Sequence, residues 1–248
     1  MSGITVITPT GDRPLAFGLL RDYWMKNQTV KPDQWIIVDD GNTRYDTSSL
    51  PDYADYERVN PTVAPNIVNK NDPIPKQYIR LKQHTIGTNL LHGLKKVKYD
   101  NVFIMEDDDW YSPYYLAYMK GLIIDSNLVG LWGTNYYNVS IRGYRTTSFP
   151  DRAALSMTGF KSSFIPNIIK VIDGDVSIDN RIWMSYDGKL VAGKQLKIQC
   201  SIKGLPGRRG AGVGHVNNKY TPDPELKMLY QWCDDASIYK NLMENKIV

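Results

Sequence analysis

The chain has 248 residues, of which 42% are hydrophobic, and its formal net charge at pH 7 is +4. A chain of this length buries an ample core and fits one large domain. No apolar run approaches the ~20 residues that span a bilayer, and the first residues lack the basic start and apolar core of an export signal. We therefore expect a soluble cytoplasmic protein, whose modest positive charge permits an anionic partner without requiring one.

Apolar runs alternate with helical patterns in the first part of the chain. Residues 4–8 form a β-branched run that predicts a strand halted by the following proline, and residues 15–26 carry apolar side chains at helical spacing. Further apolar runs at 34–38 and 102–105 predict two more strands. The proline- and asparagine-rich stretch 50–75 between them predicts a long irregular segment.

The remaining elements are helices and short extended segments. Helical patterns cover 90–97, 113–124 and 224–245, whereas 128–134 is typical of a strand and 139–147 is polar and basic. Strands separated by helices predict an α/β fold with a mainly parallel sheet and helices on both faces. The two cysteines, Cys200 and Cys233, are too few for a disulfide scaffold or a zinc cluster, which predicts free thiols.

Polar clusters follow three of the predicted strands. They read "TPTGDR" at 8–13, "DDG" at 39–41 and "EDDD" at 106–109. In an open α/β sheet, ligands bind at the carboxyl ends of the strands, so we expect the three clusters to converge on one crevice. Four adjacent carboxylates repel one another, which indicates that a positive partner belongs at 106–109.

These motifs resemble those of family 2 nucleotide-sugar glycosyltransferases with the GT-A fold, a Rossmann-like architecture. The likeness rests on "VITPTGDRP", "IIVDDG", "IGTNLLHGL", "NVFIMEDDDWY" and "SIDNRIW", which follow in the order of the family between residues 4 and 183. The resemblance implies a single GT-A domain over 1–248, with a nucleotide-binding half at 1–110. The acceptor-binding half and the C-terminal helix would then occupy 111–248.

The resemblance also implies a binding site for the donor, a UDP-sugar. In the family, the first loop and the aspartate pair after the second strand hold the nucleoside, and an Asp-x-Asp element holds a divalent metal on the diphosphate. Carried onto this sequence, the nucleotide-binding residues are Thr8, Pro9, Thr10, Asp12, Arg13, Asp39, Asp40, Asp107 and Asp108.

The acidic segment also predicts a metal site from its chemistry. A departing diphosphate concentrates negative charge, which a divalent cation stabilises as a Lewis acid. Carboxylate oxygens suit Mg²⁺ or Mn²⁺, and these ions share their coordination between one or two carboxylates and substrate phosphates. Asp109, with Asp107, is the best pair of ligands, and a solvated acidic turn that binds nothing is the alternative.

A glycine-rich stretch, "GRRGAGVGHVNNKY", begins at residue 207. Glycines allow backbone N–H groups to approach an anion, and arginines contact phosphate oxygens in pairs, which predicts diphosphate contacts for Arg208 and Arg209. The family often uses a C-terminal histidine as a metal ligand, and His215 fits that place. His84 and His92 lie in a predicted helix, which favours a structural or solvated role.

A carboxylate is needed to take the proton of the acceptor hydroxyl in a direct displacement. The family places this aspartate shortly before a helix start, and "SIDNRIW" puts Asp179 there, which implies an inverting enzyme. The family usually has an acidic residue immediately before this aspartate, where the chain has Ile178. Asp173 and Asp175 therefore remain rivals for the role.

The acceptor is the part of the reaction on which the sequence says least. Trp110 and Tyr111 follow the acidic segment and could stack on a sugar or base, and Arg142 and Arg145 lie among tyrosines in a pattern that suits a polyanion. A hydroxymethylated DNA base, as in phage-type DNA glucosylation, fits about as well as a surface or lipopolysaccharide glycan.

Two functions of other classes are alternatives to the transferase. A sugar nucleotidyltransferase normally carries a glycine-rich loop with arginine and lysine directly after the first strand, which "TPTGDRPLAF" lacks. An inactive nucleotide-sugar-binding protein is the other alternative, and the presence of every expected motif argues against it.

Overall fold

A computed structural model describes residues 2–59, 86–172, 177–208, 215 and 219–248 of the chain. The strands within these ranges are β1 (Ile4–Thr10), β2 (Gln34–Asp39), β3 (Ala54–Arg58), β4 (Asn101–Ile104), β5 (Trp110–Tyr111), β6 (Leu128–Trp132), β7 (Asn135–Asn138), β8 (Gly143–Thr146), β9 (Thr158–Lys161), β10 (Lys189–Ala192), β11 (Gln199–Lys203) and β12 (Thr221–Pro222). The α-helices are α1 (Pro14–Leu19), α2 (Ile86–Leu94), α3 (Tyr115–Leu122), α4 (Ile165–Val171), α5 (Ile178–Ser185), α6 (Lys227–Trp232) and α7 (Ala236–Glu244). A π-helical turn, Leu20–Met25, continues α1.

The larger sheet has seven strands in the order β10-β6-β9-β4-β1-β2-β3. Neighbouring strands are parallel except where β9 pairs with β4 and β6. Strands β1, β2 and β4 are buried along their whole length. Successive strand residues point to opposite faces, so burial of this kind requires cover on both faces. The mainly parallel α/β fold that the sequence predicts is confirmed.

Helix α2 packs on strands β1 and β2. Gly93 allows the close approach, because a Cβ atom at this position would lie 2.8 Å from Cγ2 of Ile7. One turn earlier, the side-chain amide of Asn89 donates to the carbonyl oxygens of Thr10 at 3.3 Å and Val38 at 3.4 Å. The helix thereby ties together the carboxyl ends of the two strands.

A smaller sheet of five strands, in the order β12-β8-β7-β11-β5, was not predicted from the sequence. Strand β5 directly follows the acidic segment and pairs antiparallel with β11, with Gln199 opposite Tyr111 and Cys200 opposite Trp110. Its strands are two to five residues long, too short to give a clear period in the sequence. The sheet anchors the chain that leaves the acidic segment.

Two predicted boundaries in the first part of the chain are wrong. Strand β1 continues beyond Pro9 to Thr10, because Pro9 still aligns with Val38 of β2 although it lacks an N–H donor. Strand β3 lies inside the segment predicted to be irregular. It is a half-buried edge strand of polar composition, paired with β2 alone, so it gives no apolar run in the sequence.

The predicted C-terminal helix is two helices, α6 and α7, separated by extended backbone at Cys233. Helix α6 begins at Lys227 because the Asp223 carboxylate accepts the backbone N–H groups of Lys227 and Met228 at 2.9 and 3.0 Å. The break lets each helix pack on its own aromatic partner. Trp232 contacts Tyr144 edge-on, and the Tyr239 ring stacks with that of Trp24.

Cys200 and Cys233 are both buried and free, as predicted. Helices of the described part of the chain are all too short or too polar to cross a bilayer.

Candidate active site at the carboxyl ends of the parallel strands

The register of the large sheet brings the three polar clusters together. Thr10 at the end of β1 is paired with Asp39 at the end of β2, and Ile7 is paired with Ile104 at the end of β4. The Thr10 hydroxyl donates to the Asp107 carboxylate at 2.6 Å, which joins the first cluster to the third. The expected convergence of these segments is therefore seen in the structure.

Arg13 links the first loop to the acidic segment and to the glycine-rich stretch. Its guanidinium lies 2.8 Å from an Asp107 carboxylate oxygen and 3.4 Å from one of Asp108. Its Nε donates to the backbone carbonyl of Arg208 at 2.5 Å, and its backbone N–H donates to the Tyr45 hydroxyl at 2.8 Å. Arg13 thus holds two predicted parts of the donor site in contact.

The carboxylates after β2 are buried and bonded to their surroundings. Asp39 accepts the backbone N–H of Gly41 at 2.8 Å and the hydroxyl of Tyr56. Asp40 forms an ion pair with Arg208, which connects the second cluster to the glycine-rich stretch. The predicted diphosphate contact Arg208 therefore reaches the site, whereas Arg209 lies outside the described residues.

Other residues predicted to bind the nucleoside support the same loops. Asp12 adopts a left-handed backbone conformation with φ of 53°. Its carboxylate accepts the backbone and side-chain N–H groups of Asn42 at 2.7 and 2.8 Å. Thr8 and Pro9 are buried in β1, where the Thr8 hydroxyl accepts the Trp35 indole N–H at 2.9 Å. These contacts hold the loop after β1 against the loop after β2.

The acidic segment contains a group of carboxylates that could hold a metal ion. One oxygen from each of Glu106, Asp108 and Asp109 lies within 4.8 Å of the other two. The predicted metal ligands were Asp107, Asp109 and His215. Of these, the group contains Asp109, and its other two members are Glu106 and Asp108. Asp107 is instead bonded to Thr10 and Arg13. Glu106 was not predicted as a ligand, because it lies outside the Asp-x-Asp pattern at 107–109.

Asp108 and Asp109 have different surroundings. The Asp109 side chain has no exposed surface, and it accepts hydrogen bonds from Gln199 at 2.7 Å, Ser201 at 3.2 Å and Lys203 at 3.3 Å. The Asp108 side chain retains 10% exposure and faces the Arg13 and Lys203 cations. Asp108 is therefore the more accessible of the two carboxylates.

Burial disfavours ionisation of the carboxyl groups in this segment, whereas the neighbouring cations favour it. Desolvation, with the neighbouring Asp109 and Asp108 carboxylates, raises the pKa of Glu106 to about 8. Burial also raises the pKa of Asp109. Burial opposes ionisation of Asp108 as well, but Lys203, Arg13 and His215 together lower its pKa to about 2. Added positive charge at this place would favour ionisation of every carboxyl group.

A small cleft lies beside Asp108. Arg13, Arg208, Leu205 and His215 line it together with Asp108. His215, the predicted third metal ligand, is thus placed at the same cleft as the acidic segment. His92 lies elsewhere, 3.7 Å from Glu57, and His84 is outside the described residues.

Asp179, the predicted base, lies in the first turn of α5. Burial raises the pKa of its carboxyl group, with opposing contributions from the Asn180 backbone N–H and from Arg152. Burial raises the pKa of the Tyr136 hydroxyl, and the Asp109 and Asp179 carboxylates add to this effect. Its rivals Asp173 and Asp175 lie outside the described residues.

The four residues predicted to bind the acceptor separate into two pairs. Trp110 and Tyr111 are fully buried, and the Tyr111 hydroxyl accepts the backbone N–H of Glu106 at 2.8 Å. Their rings have no free face for stacking in this structure. Arg142 is exposed beside β8, and the guanidinium of Arg145 lies 5.6 Å above the Tyr136 ring.

Comparisons with known proteins give one family and several similar folds. A sequence model of glycosyl transferase family 2 matches residues 19–174. No curated protein sequence matches the chain. S. aureus TarS 1-349 in complex with UDP-GlcNAc aligns with a TM-score of 0.52 at 14% identity, over 85% of this chain and 60% of that one. TarS 1-349 in complex with UDP aligns with a TM-score of 0.50 at 12% identity, over 82% and 60%.

This chain therefore spans 60% of the length of these TarS structures. At such identities the likeness concerns the fold, and it agrees with the GT-A architecture expected from the motifs.

Proposed function

The chain belongs to glycosyl transferase family 2, and we propose that it moves a sugar from a UDP-sugar to an acceptor hydroxyl. The family match covers 19–174, which includes the ends of β2 and β4. TarS, whose fold is similar, has been crystallised with UDP and with UDP-GlcNAc, which supports a uridine nucleotide as the donor.

The observation that carries the proposal is the convergence of three strand ends on one cleft. Thr10 bonds to Asp107, Arg13 to Asp107 and Arg208, and Arg208 to Asp40. Arg13 and Arg208 line the cleft and are suited to the diphosphate, since guanidinium groups bind phosphate oxygens in pairs. The buried Asp39 and Asp40 lie beside them, where a nucleoside would meet the end of β2.

The acidic segment fits a divalent cation. Its oxygen donors suit Mg²⁺ or Mn²⁺, and the carboxylates of Asp107, Asp108 and Asp109 outnumber the cations Arg13 and Lys203 that pair with them. Asp108, with Glu106, would hold the ion, because Asp109 is enclosed by its own hydrogen bonds. When bound, the ion supplies Lewis-acid stabilisation of the departing diphosphate.

Asp179 acts as the general base in this proposal. Burial raises the pKa of its carboxyl group, so the carboxylate accepts a proton more readily than that of an exposed aspartate. It takes the proton of the acceptor hydroxyl as the oxygen attacks the anomeric carbon, and the UDP leaves from the opposite face. A single displacement of this kind inverts the anomeric configuration.

The acceptor we propose is a polyanion, a DNA carrying a hydroxymethylated base. Arg142 and Arg145 on the β8 side supply positive charge, and such residues contact phosphates along a nucleic acid strand. A surface or lipopolysaccharide glycan is the alternative acceptor. Loss of binding to hydroxymethylated DNA at raised salt would support the first, and transfer to glycan alone would support the second.

The decisive experiment incubates the protein with a panel of UDP-sugars, with and without Mn²⁺, and measures the release of UDP. We expect release from at least one UDP-sugar that depends on Mn²⁺ or Mg²⁺. NMR of the anomeric proton of the product tests the stereochemistry, and an α-linked donor should give a β-linked product. An α-linked product would rule out single displacement with Asp179 as the base.

A further inference from the structure

Strand β11 presents three polar side chains to the acidic segment. Gln199, Ser201 and Lys203 alternate with Cys200 and Ile202, so they share one face of the strand. All three donate to the Asp109 carboxylate, two of them to one oxygen and Lys203 to the other. A carboxylate bonded in this way serves as an anchor between the two sheets.

Lys203 alone among these three also reaches the carboxylate at the cleft. Its ammonium lies 3.0 Å from an Asp108 oxygen and 3.3 Å from an Asp109 oxygen. The side chain of Lys203 is 8% exposed, and buried ammonium groups require paired anions to compensate for their lost hydration. The position of Lys203 is therefore set by Asp108 and Asp109 together.

We propose that Lys203 is a positioning residue of the donor site, a fixed positive charge that orients Asp108 and shares the neutralisation of the acidic segment with the divalent ion. The inference rests on the proposed metal-dependent function. Lys203 compensates part of the negative charge permanently, and the ion supplies the rest when the donor binds. Loss of Lys203 should therefore make the thermal stability of the fold depend more strongly on the divalent ion.

The test measures the Tm of the full chain with and without Mn²⁺, in the absence of nucleotide. In Lys203→Met the Tm without Mn²⁺ should fall by on the order of 10 °C, because the buried Asp109 loses the cation that it pairs with and Asp108 keeps Arg13 but loses Lys203. Addition of Mn²⁺ should raise the Tm of this variant by at least ~3 °C more than it raises that of the wild type. Lys203→Arg keeps the charge and should restore much of the wild-type response.

Lys189→Met is the matched control, since it also removes one lysine charge but from an exposed ion pair with Asp125 at 3.0 Å. Its Mn²⁺ response should equal that of the wild type. An equal Mn²⁺ response in Lys203→Met and the wild type would overturn the proposal and assign Lys203 to packing alone. Absence of any Mn²⁺ response in the wild type would instead count against the metal in the proposed function.

If Lys203→Met does not fold, a charge-matched pair of variants keeps the proposal open to refutation. Asp109→Asn should respond less to Mn²⁺ than the wild type, because the segment has lost one negative charge. The double variant Lys203→Met with Asp109→Asn loses one charge of each sign and should respond more than Asp109→Asn alone. Equal responses of these two variants would overturn the proposal.

Discussion

The donor side and the acceptor side of the cleft are built in different ways. On the donor side, Asp40, Asp107 and Asp108 are buried at strand ends and each pairs with a cation. On the acceptor side, Asp179 is half-buried in the first turn of a short helix, and Arg145 lies on a four-residue strand. In the proposed function, charges on the donor side therefore serve both the fold and the ligand, whereas Asp179 on the acceptor side serves the chemistry.

Substitution of Asp179 should have the largest effect on transfer and the smallest on the fold. We expect Asp179→Asn to lower the rate of transfer ~10²–10⁴-fold, since positioned general bases contribute about this much. Calorimetry should give an unchanged UDP affinity, and thermal unfolding an unchanged Tm. Asp187→Asn, an exposed aspartate just after the same helix, is the control. Weakened UDP binding in Asp179→Asn would show that the two sides are not separate.

Substitutions of Asp108 and Asp109 test whether Asp108 is a metal ligand and Asp109 a structural anchor. Asp108→Asn should lower Mn²⁺-dependent UDP release ~10²–10³-fold, because a metal ligand supplies several kcal/mol of charge stabilisation. Asp109→Asn should instead lower the stability by about 1–3 kcal/mol through its three weakened hydrogen bonds, with a lower Tm. Thermal unfolding and UDP release should be measured on both variants. Loss of activity in Asp109→Asn without any loss of stability would contradict the assignment of Asp109 as an anchor.

The pair of Asp40 and Arg208 tests how the second strand end contributes to nucleotide binding. Asp40→Asn removes the ion pair that holds Arg208 at the cleft, and we expect a ~10-fold higher Kd for UDP. Asp46→Asn, in the exposed part of the same loop, should leave the Kd unchanged. If replacement of both Asp39 and Asp40 by alanine left UDP affinity unaltered by calorimetry, the nucleoside would have to bind elsewhere.

The dependence of the rate on pH gives the smallest effect and the sharpest test of the acceptor side. A base must be ionised to act, so kcat/KM should fall as the pH drops through the pKa of Asp179. Because burial raises that pKa above the ordinary value of 3.8, the fall should begin at a higher pH than for an exposed aspartate. The residual activity of Asp179→Asn should lack this limb, and an identical limb in both proteins would assign it to another group.

The convergence of the polar segments after β1, β2 and β4 could be predicted from the sequence because apolar strand runs and their ends are recognisable there. The runs at 34–38 and 102–105 each end in acidic residues, and a parallel sheet must bring such ends to one edge. Arg13 was predicted from the resemblance of the first loop to the family, and Arg208 from the glycine-rich stretch that contains it. The role of Asp109 could not be predicted, since accessibility within "EDDD" depends on which carboxylates face β11.

The smaller sheet marks the limit of prediction from this sequence. Gln199, Ser201 and Lys203 alternate with Cys200 and Ile202, which is a period-two signal over only five residues. Nothing in that signal says that the polar face turns inward toward a carboxylate, because alternation ordinarily places polar residues in solvent. The burial of Trp110 and Tyr111 follows from the same pairing of β5 with β11, which the sequence does not reveal.

The two buried thiols have a practical consequence for spectroscopy. Cys200 and Cys233 have no exposed surface, and burial raises the pKa of the Cys233 thiol well above its usual range. Maleimide reagents attack accessible thiolates, so the native chain should be nearly inert to them. A single cysteine introduced at an exposed position on each side of the cleft would then carry a fluorophore without removal of the natural ones. Distance changes across the cleft on addition of UDP become measurable in an otherwise unaltered protein.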